Sequence, residues 1–324
     1  MNYRNIPGTE LNISCISLGT WKFRQSETDS REWTRLFTKA IEQGVNYLDT
    51  AITYDGGNAE KFIGGLWSNI PRSQMMVGTK CYFPTSPAAE DRGLSRKYVF
   101  KCAEVSLNNL KTDYIDIFQC HRWDAETPID ETIDAMDTLV KQGKIRYWGL
   151  GAATAAQMVH AVYASALSEK RKPVTHQHVY NMFNRTIEFD VLDYCKQLGL
   201  GMLVYSPLSQ GILSGKYAGD IIPDQSRATH STDRAAMWDY SEHKLQKAEK
   251  IAALACKLGT ASATLALAWC LRHSQVSTVI TSISNDAQWQ QNQSASDLNI
   301  NEEVLQEIEN ILNNKPYNIY TQKP

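Results

Sequence analysis

Four ionisable side chains, Asp49, Tyr54, Lys80 and His121, form a set able to protonate a carbonyl oxygen. A tyrosine ordinarily holds its proton to about pH 10. A cation beside it stabilises the phenolate and makes it a better acid near neutrality. Lys80 can supply that charge, while Asp49 keeps Lys80 protonated and oriented. His121 can donate a hydrogen bond to the oxygen on which negative charge develops. Taken singly, each has a plain reading: a helix cap for Asp49, packing or surface for Tyr54 and His121, a solvated cation for Lys80. Their joint position outweighs those readings. Asp49, Lys80 and His121 close three successive apolar runs, and Tyr54 follows Asp49 by five residues. No nucleophilic Ser or Cys accompanies them, and the scattered His and Cys residues make no metal cage. Proton donation to a carbonyl requires a hydride source, which side chains do not provide, so the set implies a nicotinamide.

The elements that must position this set alternate between short apolar runs and helical patterns. The runs are Ile16–Gly19, Val45–Asp49, Met75–Lys80, Tyr114–His121, Ile145–Leu150, Val174–Tyr180, Met202–Ser206 and Thr278–Ser282. Between them, spacings such as Trp33-Leu36-Phe37-Ala40-Ile41 and Ile133-Met136-Leu139-Val140 give helices, and Gly143 between lysines ends one. Two-residue hairpin turns are absent between the runs, as a parallel sheet with helical crossovers requires. Eight such units predict a (β/α)8 TIM barrel of the α/β class, with a doubly wound open sheet as the alternative. In such a barrel the active site lies at the C-terminal strand ends. An N-terminal β-hairpin is expected from Tyr3–Ile6, a Pro7-Gly8 turn and Leu11–Ile13. No linker divides the chain, so residues 1–324 are expected to form one domain. The long irregular stretch after strand seven, Ser209–Ser241, has the length of a flap over a ligand.

Composition narrows the class further. The chain is 43% hydrophobic and 21% charged, with 33 Lys plus Arg against 35 Asp plus Glu and a formal net charge of -2. That balance suggests neither a nucleic-acid nor a membrane partner. The 7 cysteines are dispersed without a CxxC pair, as in a reducing compartment. The N-terminus lacks a signal-peptide core, and no apolar run approaches the roughly 18 residues of a membrane span. The expectation is a cytoplasmic protein acting on a small molecule; oligomeric state is not legible.

Several segments carry a family resemblance. Gly44–Tyr54 (GVNYLDTAITY), continued by Gly57, Ala59, Glu60, Ile63 and Gly64, resembles the aldo-keto reductase signature. Val77-Gly78-Thr79-Lys80 and Gln119–Asp124 resemble that family's lysine and histidine segments. Gly93–Arg96, Tyr205–Leu208 and Gly211–Tyr217 resemble the branch containing potassium-channel beta subunits and their bacterial relatives. The resemblance spans nearly the whole chain. It implies that Asp49, Tyr54, Lys80 and His121 are the catalytic tetrad of an NADPH-dependent reductase of small aldehydes or ketones. By position it also implies a cofactor site. Gln177 would bond the nicotinamide carboxamide and Tyr205 would stack on the ring. Ser206, Pro207, Leu208 and Lys216 would line the pyrophosphate, and Arg227 would approach the ribose 2′-phosphate. Ser284, Gln288, Gln291 and Asn292 would meet the adenosine end. The Ser284-Asn285-Asp286 segment also reads as a helix start, whose free N–H groups suit a phosphate.

Two departures from the family pattern stand out. Its Ser-Asn pair after strand five is Gly151-Ala152 here, and its Pro-Gly-Ala around strand eight is Thr281-Ser282-Ile283. Two lost hydrogen bonds predict NADPH binding weakened by roughly 5- to 100-fold, restored in part by Gly151→Ser with Ala152→Asn. Bulk at Ile283 is expected to crowd the phosphate site. Trp21, Tyr82, Phe83 and Trp123 are candidates for an aromatic substrate pocket, with ordinary loop packing equally open. Two other functions remain at this stage: an NADPH-binding regulatory or redox-sensing subunit with little turnover, and a phosphate-binding barrel isomerase or lyase. The intact tetrad and the absence of a glycine-rich phosphate loop disfavour the last.

Overall fold

The computed structural model describes residues 1–217 and 241–315, with the side chains of residues 27–29 left aside. Its centre is a closed barrel of parallel strands. A two-stranded hairpin precedes it, β1 (Tyr3–Asn5) and β2 (Asn12–Ser14), antiparallel in the register Tyr3↔Ser14. The barrel strands are β3 (Ile16–Gly19), β4 (Tyr47–Asp49), β5 (Met76–Cys81), β6 (Ile115–Cys120), β7 (Ile145–Gly151), β8 (Thr175–Val179), β9 (Gly201–Tyr205) and β10 (Val276–Thr281). They run in chain order around the ring, and β10 closes on β3 through Ile280↔Ser17. The closed barrel, rather than the open sheet, is therefore the architecture. Each expected run overlaps its strand, but β4 is shorter than expected, β5 and β7 run one residue further, β9 begins one residue earlier, and β10 begins two residues earlier, before a register shift between Val276 and Thr278.

Helices complete each crossover: α1 (Glu27–Glu42), α2 (Asn58–Leu66), α3 (Arg96–Leu110), α4 (Ile129–Lys141), α5 (Ala155–Leu167), α6 (Val191–Leu198), α7 (Glu242–Lys257) and α8 (Ser262–Leu271). Two more follow β10, namely α9 (Asp286–Ser294) and α10 (Glu302–Leu312). Their ends follow local chemistry. Helix α4 starts behind Pro128 with Asp130 and Glu131 in its first turn, and the chain leaves it through Gly143 at φ 73°. Helix α5 has a capping box between Thr154 and Gln157. Every residue of α8 is buried. Among the described residues, no single helix is long and apolar enough to cross a membrane.

The period of two along the strands divides two environments. Leu48, Val77, Phe118, Trp148 and Val204 join the core between strands and helices. Tyr47, Ile117 and Leu203 fill the lower lumen together with Ile6, Leu11 and Ile13 of the hairpin segment. The hairpin thus plugs the N-terminal end of the barrel, and Arg4 fastens it by donating to the carbonyls of Leu271, His273 and Val276. The C-terminal end is left to polar residues. Six of the cysteines are buried thiols, whereas Cys256 is exposed.

Candidate active site

Asp49 ends β4 and Lys80 lies one residue before the end of β5, the next strand around the ring. Their side chains meet inside the barrel: Lys80 Nζ lies 2.6 Å from Asp49 Oδ1 and donates to the Thr50 carbonyl at 2.7 Å. Both are buried, with side-chain exposures of 2% and 5%. Burial is the largest single influence and disfavours charge on Lys80, but the charges and hydrogen bonds of Asp49 and Tyr54 together lift the amine above its ordinary pKa. Removing either partner alone would leave an uncompensated buried charge, which costs about 3–5 kcal/mol.

Tyr54 is delivered by a tight turn after β4. Asp55, Gly56 and Gly57 take φ of 49°, 62° and 90°, a run of left-handed backbone for which the two glycines are suited. The ammonium of Lys80 lies 5.1 Å from the centre of the Tyr54 ring. His121 follows directly on β6, pinned by its N–H to the Cys81 carbonyl at 2.9 Å. Its ring is 5.9 Å from that of Tyr54, nearly edge-on, so all four expected residues converge. Burial, then the charges of Lys80 and Arg122, push His121 down to about 2, so its imidazole is neutral at physiological pH. Tyr54 differs from the sequence argument. Burial raises its phenol above the ordinary value, and the charge of and hydrogen bond from Lys80 offset only part of that rise. The phenol therefore stays protonated, ready to act as a donor.

Behind the set lies a polar lumen that sequence reasoning did not resolve. Strands β4 and β8 face each other across the ring, and Gln177 Nε2 spans the lumen to donate to Asp49 Oδ2 at 2.7 Å. Tyr47 adds a weaker contact to the same oxygen at 3.4 Å. Gly78 makes room for it, since a Cβ there would fall 1.9 Å from the Tyr47 hydroxyl. A glycine within a strand is the signal that could have revealed this close approach. Glu60, fully buried on α2, accepts from Thr79 at 2.6 Å and Asn109 at 2.9 Å, bracing the strand beside Lys80.

The candidate cofactor residues lie on β8 and β9 and in the segments that follow β9 and β10, three neighbours in the ring. Gln177 is at the middle of β8 rather than at its end, and Tyr205 closes β9. Gln177 uses its amide N–H toward Asp49, and among the described residues no donor meets its amide oxygen. Tyr205 is half-buried at the end of β9; Ser206 has φ 52°, and its carbonyl is held by Asn181. Pro207 is buried, Leu208 half-buried and Lys216 exposed, its ammonium 5.0 Å from the Tyr217 ring centre. Arg227 and most of the expected flap lie outside the described residues. Helix α9 is capped by Asn285, which accepts from the Gln288 N–H, while the Gln288 side chain takes the Ser284 N–H. Gln291 is exposed and Asn292 almost fully buried. Ile283 is fully buried in the main core, so its bulk is absorbed by packing rather than projecting toward a phosphate.

The aromatic candidates divide. Phe83 packs edge-on against His121 at 4.8 Å, and Tyr82 against Phe83 at 5.2 Å. Trp123 lies 6.0 Å from His160 instead, and Trp21 is 44% exposed beneath the ammonium of Lys22. At the family departure, Gly151 pairs with Gln177 in register and Ala152 takes φ 48°. A Cβ at Gly151 would fall 2.6 Å and 2.8 Å from the carbonyl oxygens of Cys120 and His121. A serine there collides with backbone.

Comparison with known proteins agrees with this geometry. The model of the Aldo/keto reductase family matches residues 15–313. A probable voltage-gated potassium channel subunit beta of Arabidopsis thaliana is 34% identical over 322 residues, 98% of each chain. A protein of the same description from Oryza sativa subsp. japonica matches at the same identity and coverage.

Proposed function

The chain belongs to the aldo/keto reductase family, and from that premise we propose that it reduces the carbonyl of a small aldehyde or ketone with NADPH, in the cytoplasm. The observation that carries the reading is the buried Lys80–Asp49 pair set beneath Tyr54, with neutral His121 alongside. What a bound nicotinamide supplies is hydride transfer to the carbonyl carbon. His121 donates a hydrogen bond to the carbonyl oxygen, and Tyr54 gives its proton to the alkoxide as it forms. An alkoxide is a far stronger base than a phenolate, so a phenol raised by burial still transfers its proton readily. Lys80 then stabilises the phenolate, and Asp49 keeps Lys80 charged throughout. The open amide oxygen of Gln177 fits the N–H of a carboxamide, with Tyr205 stacking on the ring. Ser206, Pro207, Leu208 and Lys216 would hold the pyrophosphate, and Ser284, Gln288, Gln291 and Asn292 the adenosine end. Lys216 and Arg227 are the cations on which a preference for NADPH over NADH rests.

The test is NADPH oxidation followed by absorbance against a panel of aldehydes and ketones, with fluorescence titration of NADPH and NADH. Turnover with tighter NADPH binding supports the reading. Saturable NADPH binding without turnover on any carbonyl favours the second reading, a regulatory subunit. The names of the two plant relatives and the Gly151-Ala152 departure support that alternative.

A further inference from the structure

Arg122 stands beside the reductase site with no part in the proton transfer among Asp49, Tyr54, Lys80 and His121. It follows His121 directly, and its guanidinium carbon lies 5.6 Å from the centre of the Phe83 ring, the ring that packs against His121. Its half-buried side chain donates one hydrogen bond, to the His121 carbonyl at 3.0 Å. Arg72, Arg146, Arg185 and Arg272 each meet a carboxylate. Among the described residues no carboxylate lies within ion-pair distance of Arg122. A planar guanidinium presents five donors in a fork that matches a carboxylate or phosphate, and here most of that fork is uncommitted. The charge is felt at the site, for it contributes to holding His121 neutral. Nor is it placed for the cofactor phosphates. Their candidate residues follow β9 and β10, three and four strands around the ring from β6.

We propose that Arg122 is the anion-binding element of the substrate pocket, selecting carbonyl compounds that carry a carboxylate or phosphate group some bonds away from the reacting carbon. The proposal rests on the reductase reading. The carbonyl sits between Tyr54 and His121, the body of the substrate lies along Phe83, and its anionic end reaches the guanidinium fork. Half-burial strengthens the attraction relative to a solvated pair. Phe83 is itself fixed, because its carbonyl accepts from the Tyr98 hydroxyl at 2.7 Å, so the distance between the two binding points is set by the fold.

Matched pairs of probes test it: succinic semialdehyde against butanal, and carboxybenzaldehyde against benzaldehyde, with NADPH in excess. The wild type should show kcat/KM at least about tenfold higher for each charged member, expressed mainly in KM. Arg122→Met should raise KM for the charged probes by about 10- to 100-fold, the loss of a charge-assisted hydrogen bond, and leave the neutral probes within about twofold. Arg122→Lys should recover part of the loss. Equal use of charged and neutral probes by the wild type would overturn the proposal. So would an equal loss on both in Arg122→Met, which marks a mere brace for the His121 backbone. Reduction of neutral probes alone leaves the reductase reading standing while the proposal fails. If nothing is reduced, the reductase reading fails, and benzoate titrated against Trp123 fluorescence decides the anion site by itself. Saturable quenching that is lost in Arg122→Met supports it, and none overturns it.

Discussion

Replacing Gly151 by serine restores the residue type the family carries after its fifth barrel strand, and sequence alone expects tighter NADPH binding. The structure predicts damage instead. The new Cβ would sit 2.6 Å from the Cys120 carbonyl oxygen and 2.8 Å from that of His121, where ordinary contact begins at 3.4 Å. Relief requires movement of roughly 0.6–0.8 Å between two hydrogen-bonded strands in a close-packed interior. Overpacking of this kind costs about 1–3 kcal/mol. With a urea m value of about 3 kcal/mol/M, the unfolding midpoint should fall by ~0.3–1 M. The displaced backbone belongs to His121, so turnover should fall as well. Ala152→Asn behaves differently, because Ala152 has φ 48° and asparagine tolerates that region better than most residues. Its midpoint should hold or rise slightly, and a new contact to the carboxamide should tighten NADPH by about 2- to 10-fold. Urea titration of both variants, with calorimetric NADPH binding, checks the pair. A Gly151→Ser protein with an unchanged midpoint and tighter NADPH would refute the steric argument.

Other perturbations follow from the same geometry. Tyr54→Phe should abolish carbonyl reduction while leaving NADPH affinity nearly unchanged; near-full turnover on the best substrate would dismiss the tetrad. Lys80→Met should destabilise the fold by about 3–5 kcal/mol by stranding the buried Asp49 carboxylate, and adding Asp49→Asn should return much of it. Chemical denaturation of the single and double variants measures that coupling. His121 is depressed to about 2 and His176 to about 3, both chiefly by burial. Below pH 6.5 the unfolded chain binds protons that the folded chain does not. Stability should therefore fall with pH at up to about 1.4 kcal/mol per unit for each histidine. His176→Asn should flatten the slope between about pH 6 and 5, and an unchanged slope there would show that His176 protonates in place.

Eight β–α units and the convergence of their chemistry were legible in the sequence by itself, whereas closure of the sheet into a barrel was decided by the pairing of β10 with β3. Eight apolar runs separated by helical spacing leave a parallel strand no connection but a crossover, and parallel strands put all their C-terminal ends on one face. Asp49, Lys80 and His121 at three successive ends therefore had to meet, and Tyr54 lay within reach of a short turn. Spacing along the chain carries no information about what lies across a closed ring. The bond from Gln177 to Asp49 joins opposite strands and has no local signature. The backbone approach at Gly151 joins β7 to the end of β6, and the glycine itself marks a close approach without saying to what. The protonation state of Tyr54 was likewise beyond the sequence. Lys80 beside it was legible, but the burial that outweighs Lys80 depends on how every neighbouring segment packs. Ile283, too, looked like an obstruction in the sequence and is core in the fold, because only packing decides which face of a loop turns inward.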